Sequence, residues 1–183
     1  MRFGVVIFPG SNCDYDTYFV LKEVLGQETT LLWHKDHDLK GVDCVVLPGG
    51  FSYGDYLRSG AIAKFSPLMQ EVGEFAGNGG TVLGICNGFQ VLVNLGLLPN
   101  LPGRAGERLV ALIPNDCGNF RDAWVHLTVN PDSPCVFTRG LTSLELPVRH
   151  GEGKFYADPA VLSTLQSRGQ IVLQYALPTG APA

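Results

Sequence analysis

The sequence predicts an α/β fold, a mostly parallel central sheet with helices on both faces and partly antiparallel additions in the second half. Three observations point there. Short, mainly apolar runs recur at residues 3–8, 42–47 (interrupted only by Asp43) and 81–85 without the regular polar alternation of a half-exposed strand, as strands covered on both faces do. Helix-length segments separate them, which suits parallel pairing because parallel strands need a crossover. Glycine- and proline-rich turns close the runs, at Pro9-Gly10 and at Pro48-Gly49-Gly50.

The elements follow in order. Residues 3–8 form the first strand, stopped by Pro9-Gly10. Asn12 or Asp14 caps a helix carrying Tyr15, Tyr18, Phe19, Leu21, Val24 and Leu25, and Gly26 ends it. Residues 29–33 are the second strand. His34-Lys35-Asp36-His37-Asp38 reads as a polar, solvated loop: two histidines among acids would suit a metal, but no regular element fixes a third ligand nearby. Residues 42–47 are a third strand, residues 61–75 a helix stopped by Gly77-Asn78-Gly79-Gly80, residues 81–85 a fourth strand, and residues 87–95 a helix closed by Gly96. In the second half residues 107–113, 123–129, 144–150 and 170–175 read as strands joined by Pro, Gly and Asn turns, expected to extend or flank the sheet. Residues 177–183 carry no packing pattern, and no repeat or low-complexity tract interrupts the chain.

Composition excludes several functions. The chain has 183 residues, one domain of ordinary size, enough to bury roughly 70% of the unfolded surface. Hydrophobic residues make up 45% and charged residues 16%, so it is no disordered polyelectrolyte. Thirteen Lys and Arg against seventeen Asp and Glu give −4, which argues against a nucleic-acid partner. No run approaches the ~20 apolar residues of a membrane helix, and the amino terminus lacks a secretory signal pattern. Five cysteines (Cys13, Cys44, Cys86, Cys117, Cys135), odd in number and without a CxxC pair, read as thiols of a reducing cytoplasm.

The chemistry concentrates at Gly84-Ile85-Cys86-Asn87-Gly88, which has the G-x-C-x-G spacing of a nucleophile elbow. A strand that turns straight into a helix strains its middle residue, and side chains at the flanking positions would collide with it. Cys86 is thereby lifted above the sheet edge over a helix amino terminus, whose positive end suits a sulfur anion. The Asn87 amide then points where an oxyanion develops, and the paired glycines of the Pro48-Gly49-Gly50 turn, at a neighbouring strand end, let a second backbone donor come close. Gln90, one helical turn beyond Cys86, faces the same side and would touch whatever the sulfur attacks. The rival readings are a buried cysteine eased by glycines, a plain turn, and an ordinary polar helix residue.

Four segments carry a family resemblance: Pro9-Gly10-Ser11-Asn12-Cys13-Asp14, the stretch from Pro48-Gly49-Gly50-Phe51 to Arg58, Gly84-Ile85-Cys86-Asn87-Gly88-Phe89-Gln90, and Arg149-His150-Gly151-Glu152-Gly153-Lys154-Phe155. In that order they resemble the class I glutamine amidotransferases, and within them the glutaminase subunits of phosphoribosylformylglycinamidine synthases of purine biosynthesis. The resemblance spans nearly the whole chain and implies a flavodoxin-like sheet. It implies Cys86 as the nucleophile on glutamine, Gly50 and Asn87 as oxyanion-hole donors, and Gln90 with His150 and Gly151 as glutamine-binding residues. It further implies a larger ATP-dependent synthetase subunit and a small accessory subunit as partners. No cofactor and no metal are expected in this chain, with ATP and Mg belonging to the synthetase; no G-x-x-x-x-G-K-[ST] loop occurs here.

A cysteine nucleophile also needs a histidine base oriented by an acid. The family carries these in a late P-H-P-E-type segment after a final strand, and His34, His37, His126 and His150 match no such segment. The expectation is therefore a single amidotransferase domain over 1–183 that lacks the segment bearing the base and its acid. His150-Gly151-Glu152 is the alternative source of that pair. Two further readings stay open: a glutaminase-like subunit that only scaffolds a synthetase, and a cysteine hydrolase of the DJ-1 type. Against the latter, Asn87 rather than histidine follows Cys86.

Overall fold

The computed structural model describes residues 1–183, which divide into two compact units, Met1–Arg108 and Leu109–Ala183. In the first, β1 (Arg2–Ile7), β2 (Glu28–Trp33), β3 (Cys44–Leu47) and β4 (Thr81–Gly84) form one parallel sheet in the order β2-β1-β3-β4. Register is set by pairs such as Val5 with Leu31, Val5 with Val46, and Leu47 with Gly84.

Strand alternation splits the apolar run onto two faces. On one face Val6, Val45 and Leu47 pack with Leu68, Met69 and Val72 of helix α2 (Pro67–Gly77) and with Val91 and Leu92 of helix α3 (Asn87–Leu95). On the other, Val5, Cys44 and Val46 meet Tyr18 of helix α1 (Asp14–Phe19) and Leu21. Both faces are therefore dry, and each fully buried Val or Leu contributes about 1.5–3 kcal/mol. Past Phe19 the helix widens into a π turn over Val20–Val24, with the Leu25 N–H donating to the Val20 carbonyl at 2.9 Å.

Helix α2 begins at Pro67, not at residue 61. Ser66 holds extended backbone ahead of it and Pro67 takes the first helical position, where its missing N–H costs nothing. Residues 61–66 are a turn followed by a short 3-10 segment, Ala63–Phe65.

In the second unit, β5 (Val110–Ile113) pairs antiparallel with β8 (Lys154–Ala157). A three-stranded antiparallel sheet in the order β7-β6-β9 is built from β6 (Arg121–Val129), β7 (Ser143–His150) and β9 (Leu173–Ala176). These strands pair among themselves instead of adding to the parallel sheet. Strand β8 and helix α4 (Pro159–Ser167), which buries Val161 and Leu165, are additions to the sequence-based expectation. The stretch after β9 stays exposed, as expected, but is held by backbone bonds: the Leu177 N–H donates to the Ala181 carbonyl at 2.8 Å, and Pro182 bridges back to Ala176. No helix is long and apolar enough to cross a membrane.

Candidate active site

Leu47 and Gly84 end β3 and β4 side by side, and α3 starts three residues after Gly84. Such a turn leaves no room for ordinary backbone, and Cys86 takes φ +52°, ψ −109°, a conformation that costs a non-glycine residue about 1–3 kcal/mol. The flanking glycines are required by space. A Cβ on Gly84 would sit 2.6 Å from Leu92 Cδ1, and one on Gly88 would sit 2.6 Å from the Leu47 carbonyl carbon. The bend presents Cys86 to solvent at the cap of α3, so the alternative of a buried structural cysteine does not hold there. It does hold for Cys44, which is fully buried in β3 and whose thiol burial pushes up to about 11.

The Pro48-Gly49-Gly50 turn runs against this bend. A Cβ on Gly49 would lie 3.3 Å from Cys86 Cβ and 3.6 Å from Cys13 Sγ, so the turn backbone passes in van der Waals range of the nucleophile. Gly50 adopts φ +120°, and a Cβ there would meet the backbone of Gly10, Ser11 and Asn12. Asn87 provides the first N–H of α3, which by position has no intrahelical acceptor. Gly50 thus adjoins the glycine that approaches Cys86, and Asn87 directly follows Cys86 in the chain.

The side chain of Asn87 has a structural role that the sequence did not reveal. Its side chain is buried, and Oδ1 accepts the Ser52 N–H at 3.1 Å and the Ser52 hydroxyl at 2.6 Å. Its Nδ2 donates to Asp55 Oδ1 at 3.1 Å and to Gln90 Oε1 at 2.9 Å. Asp55 Oδ1 also accepts the Gly60 N–H at 3.0 Å. One amide therefore ties the 52–60 loop to the elbow and turns Gln90 toward it. Asp55 and Tyr53 both lie at positive φ (+51° and +54°), flanking Gly54, a strained loop tied down by these bonds. The only sequence signal was the short Ser52-Tyr53-Gly54-Asp55 turn.

His150 and Gly151 belong to the second unit, at the end of β7. Asn115 organises them: its Nδ2 donates to the carbonyls of His150 at 2.7 Å and Asn119 at 3.0 Å, and its Oδ1 accepts the Gly153 N–H at 3.1 Å. With that oxygen fixed as an acceptor, the 2.9 Å contact to His150 Nδ1 requires the histidine to donate, which sets the Nδ1–H tautomer. Burial pushes His150 below its ordinary value. The Gly151 carbonyl accepts the Asn115 N–H at 2.9 Å. His150, Asn115, Arg121, Lys154 and Tyr175 line a pocket of about 250 Å³.

Of the two histidines read as a solvated loop, one departs from that reading. His34 is buried, not solvated: Tyr53, Trp33, Phe8 and Ser66 surround it. His37 does remain on the surface, 3.6 Å from Glu71.

Comparison with known proteins shows the family. The model of the CobB/CobQ-like glutamine amidotransferase domain matches residues 1–183. The phosphoribosylformylglycinamidine synthase subunit PurQ of Moorella thermoacetica is 48% identical over 183 residues, covering 98% of this chain and 73% of the relative. PurQ of Chlorobaculum tepidum is 50% identical over 178 residues, covering 94% and 70%. The solved structure of PurLQS from Thermotoga maritima contains a chain with TM-score 0.78 and 36% identity, over 99% of this chain and 77% of that one. With an exposed cysteine at a strand-to-helix elbow and these similarities along its length, the chain belongs to the CobB/CobQ-like glutamine amidotransferase family.

Proposed function

We propose that this chain is the glutaminase subunit of a phosphoribosylformylglycinamidine synthase. It releases ammonia from glutamine and hands it to a larger ATP-dependent synthetase subunit, with a small accessory subunit in the complex. The synthetase uses that ammonia to convert formylglycinamide ribonucleotide to formylglycinamidine ribonucleotide in cytoplasmic purine biosynthesis. The observation that carries the reading is the exposed, strained Cys86 at the glycine-flanked elbow, in a chain about half identical to PurQ subunits.

In this mechanism Cys86 Sγ attacks the side-chain carbonyl carbon of glutamine. The oxygen gathers negative charge and is met by the N–H groups of Gly50 and Asn87. The tetrahedral centre collapses by breaking the C–N bond; nitrogen leaves as ammonia carrying the proton given up by the thiol, and a glutamyl thioester remains. Water then attacks the thioester, releasing glutamate and restoring the thiol. Glutamine recognition is assigned to Gln90 and, in the second unit, to His150 and Gly151. ATP and its Mg are assigned to the synthetase and no cofactor or metal to this chain. In the first unit His34 Nδ1 is engaged by Tyr53 and His37 lies beside Glu71, which supports neither as the base.

The test is Cys86→Ala in the reconstituted complex. Product formation from glutamine falls to background, while added ammonium supports the wild-type rate. A variant that still uses glutamine refutes the assignment.

A further inference from the structure

The strained loop that follows the Gly50 turn is fastened to the core at one more point. Tyr53, at φ +54°, sends its hydroxyl to His34 Nδ1 at 2.7 Å and to Ser66 Oγ at 2.9 Å. His34 and Ser66 are each 3% exposed, and the His34 and Tyr53 rings meet edge to face at 5.5 Å and 90°. His34 directly follows β2 and Ser66 holds the N-cap position of α2, with the Leu68 N–H donating to the His34 carbonyl at 3.1 Å, so the anchor sits where these two elements meet. On the loop side the Phe51 N–H donates to the Gly10 carbonyl at 2.9 Å and the Tyr53 N–H to the Pro9 carbonyl at 2.6 Å. A positive-φ tyrosine persists only where its surroundings over-determine it. The Ser52 and Asp55 ties to Asn87 hold the loop toward the elbow, whereas the tyrosine hydroxyl holds it toward the core.

Resting on the glutaminase reading, we propose that Tyr53, locked by buried His34 and Ser66, is a positioning residue that fixes the Gly50 amide for the oxyanion of glutamine cleavage. Tyr53 stands three residues from Gly50 and touches no reacting atom. A loosened donor fails mainly as charge develops in the transition state, so its loss appears in kcat and not in KM.

The test compares Tyr53→Phe, Ser66→Ala, His34→Ala and His34→Asn in the reconstituted complex, with glutamine and with ammonium as nitrogen source. Removing an oxyanion-hole donor outright costs roughly 10²–10³-fold, and loosening one is expected to cost about tenfold. Tyr53→Phe and His34→Ala therefore lower the glutamine kcat about tenfold, leaving the glutamine KM and the ammonium-driven rate unchanged. Ser66→Ala costs less, and His34→Asn, whose amide can occupy the Nδ1 position, restores most of the rate. Hydrogen exchange on the same variants shows faster exchange at the Phe51 and Tyr53 amides in Tyr53→Phe. Wild-type kcat with unchanged exchange in Tyr53→Phe overturns the proposal, as does a loss confined to KM. If Tyr53→Phe does not fold, Ser66→Ala decides by the same two readouts. A wild-type complex that uses only ammonium removes the glutaminase reading, and the exchange comparison then judges the positioning claim alone.

Discussion

Replacing Gly88 by alanine tests the elbow through stability. Glycine to alanine inside a helix ordinarily stabilises by up to about 1 kcal/mol, because the unfolded chain loses freedom. Here the added Cβ falls on the backbone of Leu47, 2.6 Å from its carbonyl carbon and 2.7 Å from its Cβ. Leu47 is fully buried and its strand is paired on both sides, by β1 and β4, so nothing can move aside cheaply. Overpacking of this kind costs about 1–3 kcal/mol, and an unyielding backbone places it near the upper end. Net of the helix gain, Gly88→Ala is expected to lose about 2 kcal/mol, or about 4–8 °C in Tm for a chain of this size. Gly73 supplies the control: it lies inside α2 and a Cβ there meets nothing within 4 Å. Gly73→Ala should gain about 0.5–1 kcal/mol. Urea and thermal unfolding followed by circular dichroism read both. A Gly88→Ala protein as stable as wild type would refute the argument that close approach requires glycine at the elbow.

Three further outcomes follow from the same structure. Burial pushes both His34 and His150 below their ordinary values, with Lys35 also lowering His34 and Asp36 opposing it. The unfolded chain therefore binds protons first, so stability is full above about pH 6.5 and falls as acid carries the solution toward the lowered folded values. His34→Asn should flatten part of that loss in unfolding curves taken between pH 7.5 and about pH 5; an unchanged slope would contradict it. A small alkylating reagent at pH 8 should modify exposed Cys86 and Cys117 in the native protein and leave Cys44, pushed up to about 11 in its strand, untouched until denaturant is added. Peptide mass spectrometry reads this, and native labelling of Cys44 would count against the packing described. Leu68→Ala, at a fully buried site facing β3, should destabilise by about 2–5 kcal/mol, read as a lower urea midpoint; a loss below 1 kcal/mol would mean that α2 is not seated on the sheet.

The parallel sheet was legible because its central strands are buried on both faces and so appear as apolar runs such as Cys44–Leu47, with Pro-Gly and Gly-Gly stops. The elbow was legible because its G-x-C-x-G spacing fits within five residues, although the space that demands Gly88 is filled by Leu47 of a neighbouring strand. Other features depended on partners distant in the chain. His34 stands among Lys35, Asp36 and Asp38 and looks solvated, but Tyr53 and Ser66, 19 and 32 residues away, bury it. The hub role of Asn87 rests likewise on Ser52 and Asp55, more than thirty residues earlier. Helix α2 and helix α4 did leave local marks, since Ser66-Pro67 and Asp158-Pro159 both pair a capping residue with a proline at the first helical position. Strand β8 has four residues, two of them exposed aromatics (Phe155 and Tyr156), too short a stretch for its alternation to register. Residues 177–183 are exposed but tied by backbone hydrogen bonds to their own turn and to β9, which no side-chain pattern encodes.

The most direct measurement of the central claim is to trap the covalent intermediate. The complex turning over glutamine is quenched in acid within its first cycles, and the chain is digested and analysed by mass spectrometry. The account predicts a glutamyl adduct on the peptide containing Cys86, absent in Cys86→Ala and absent when ammonium replaces glutamine. Turnover of glutamine with no adduct on that peptide, or with the glutamyl group on another cysteine, would contradict it.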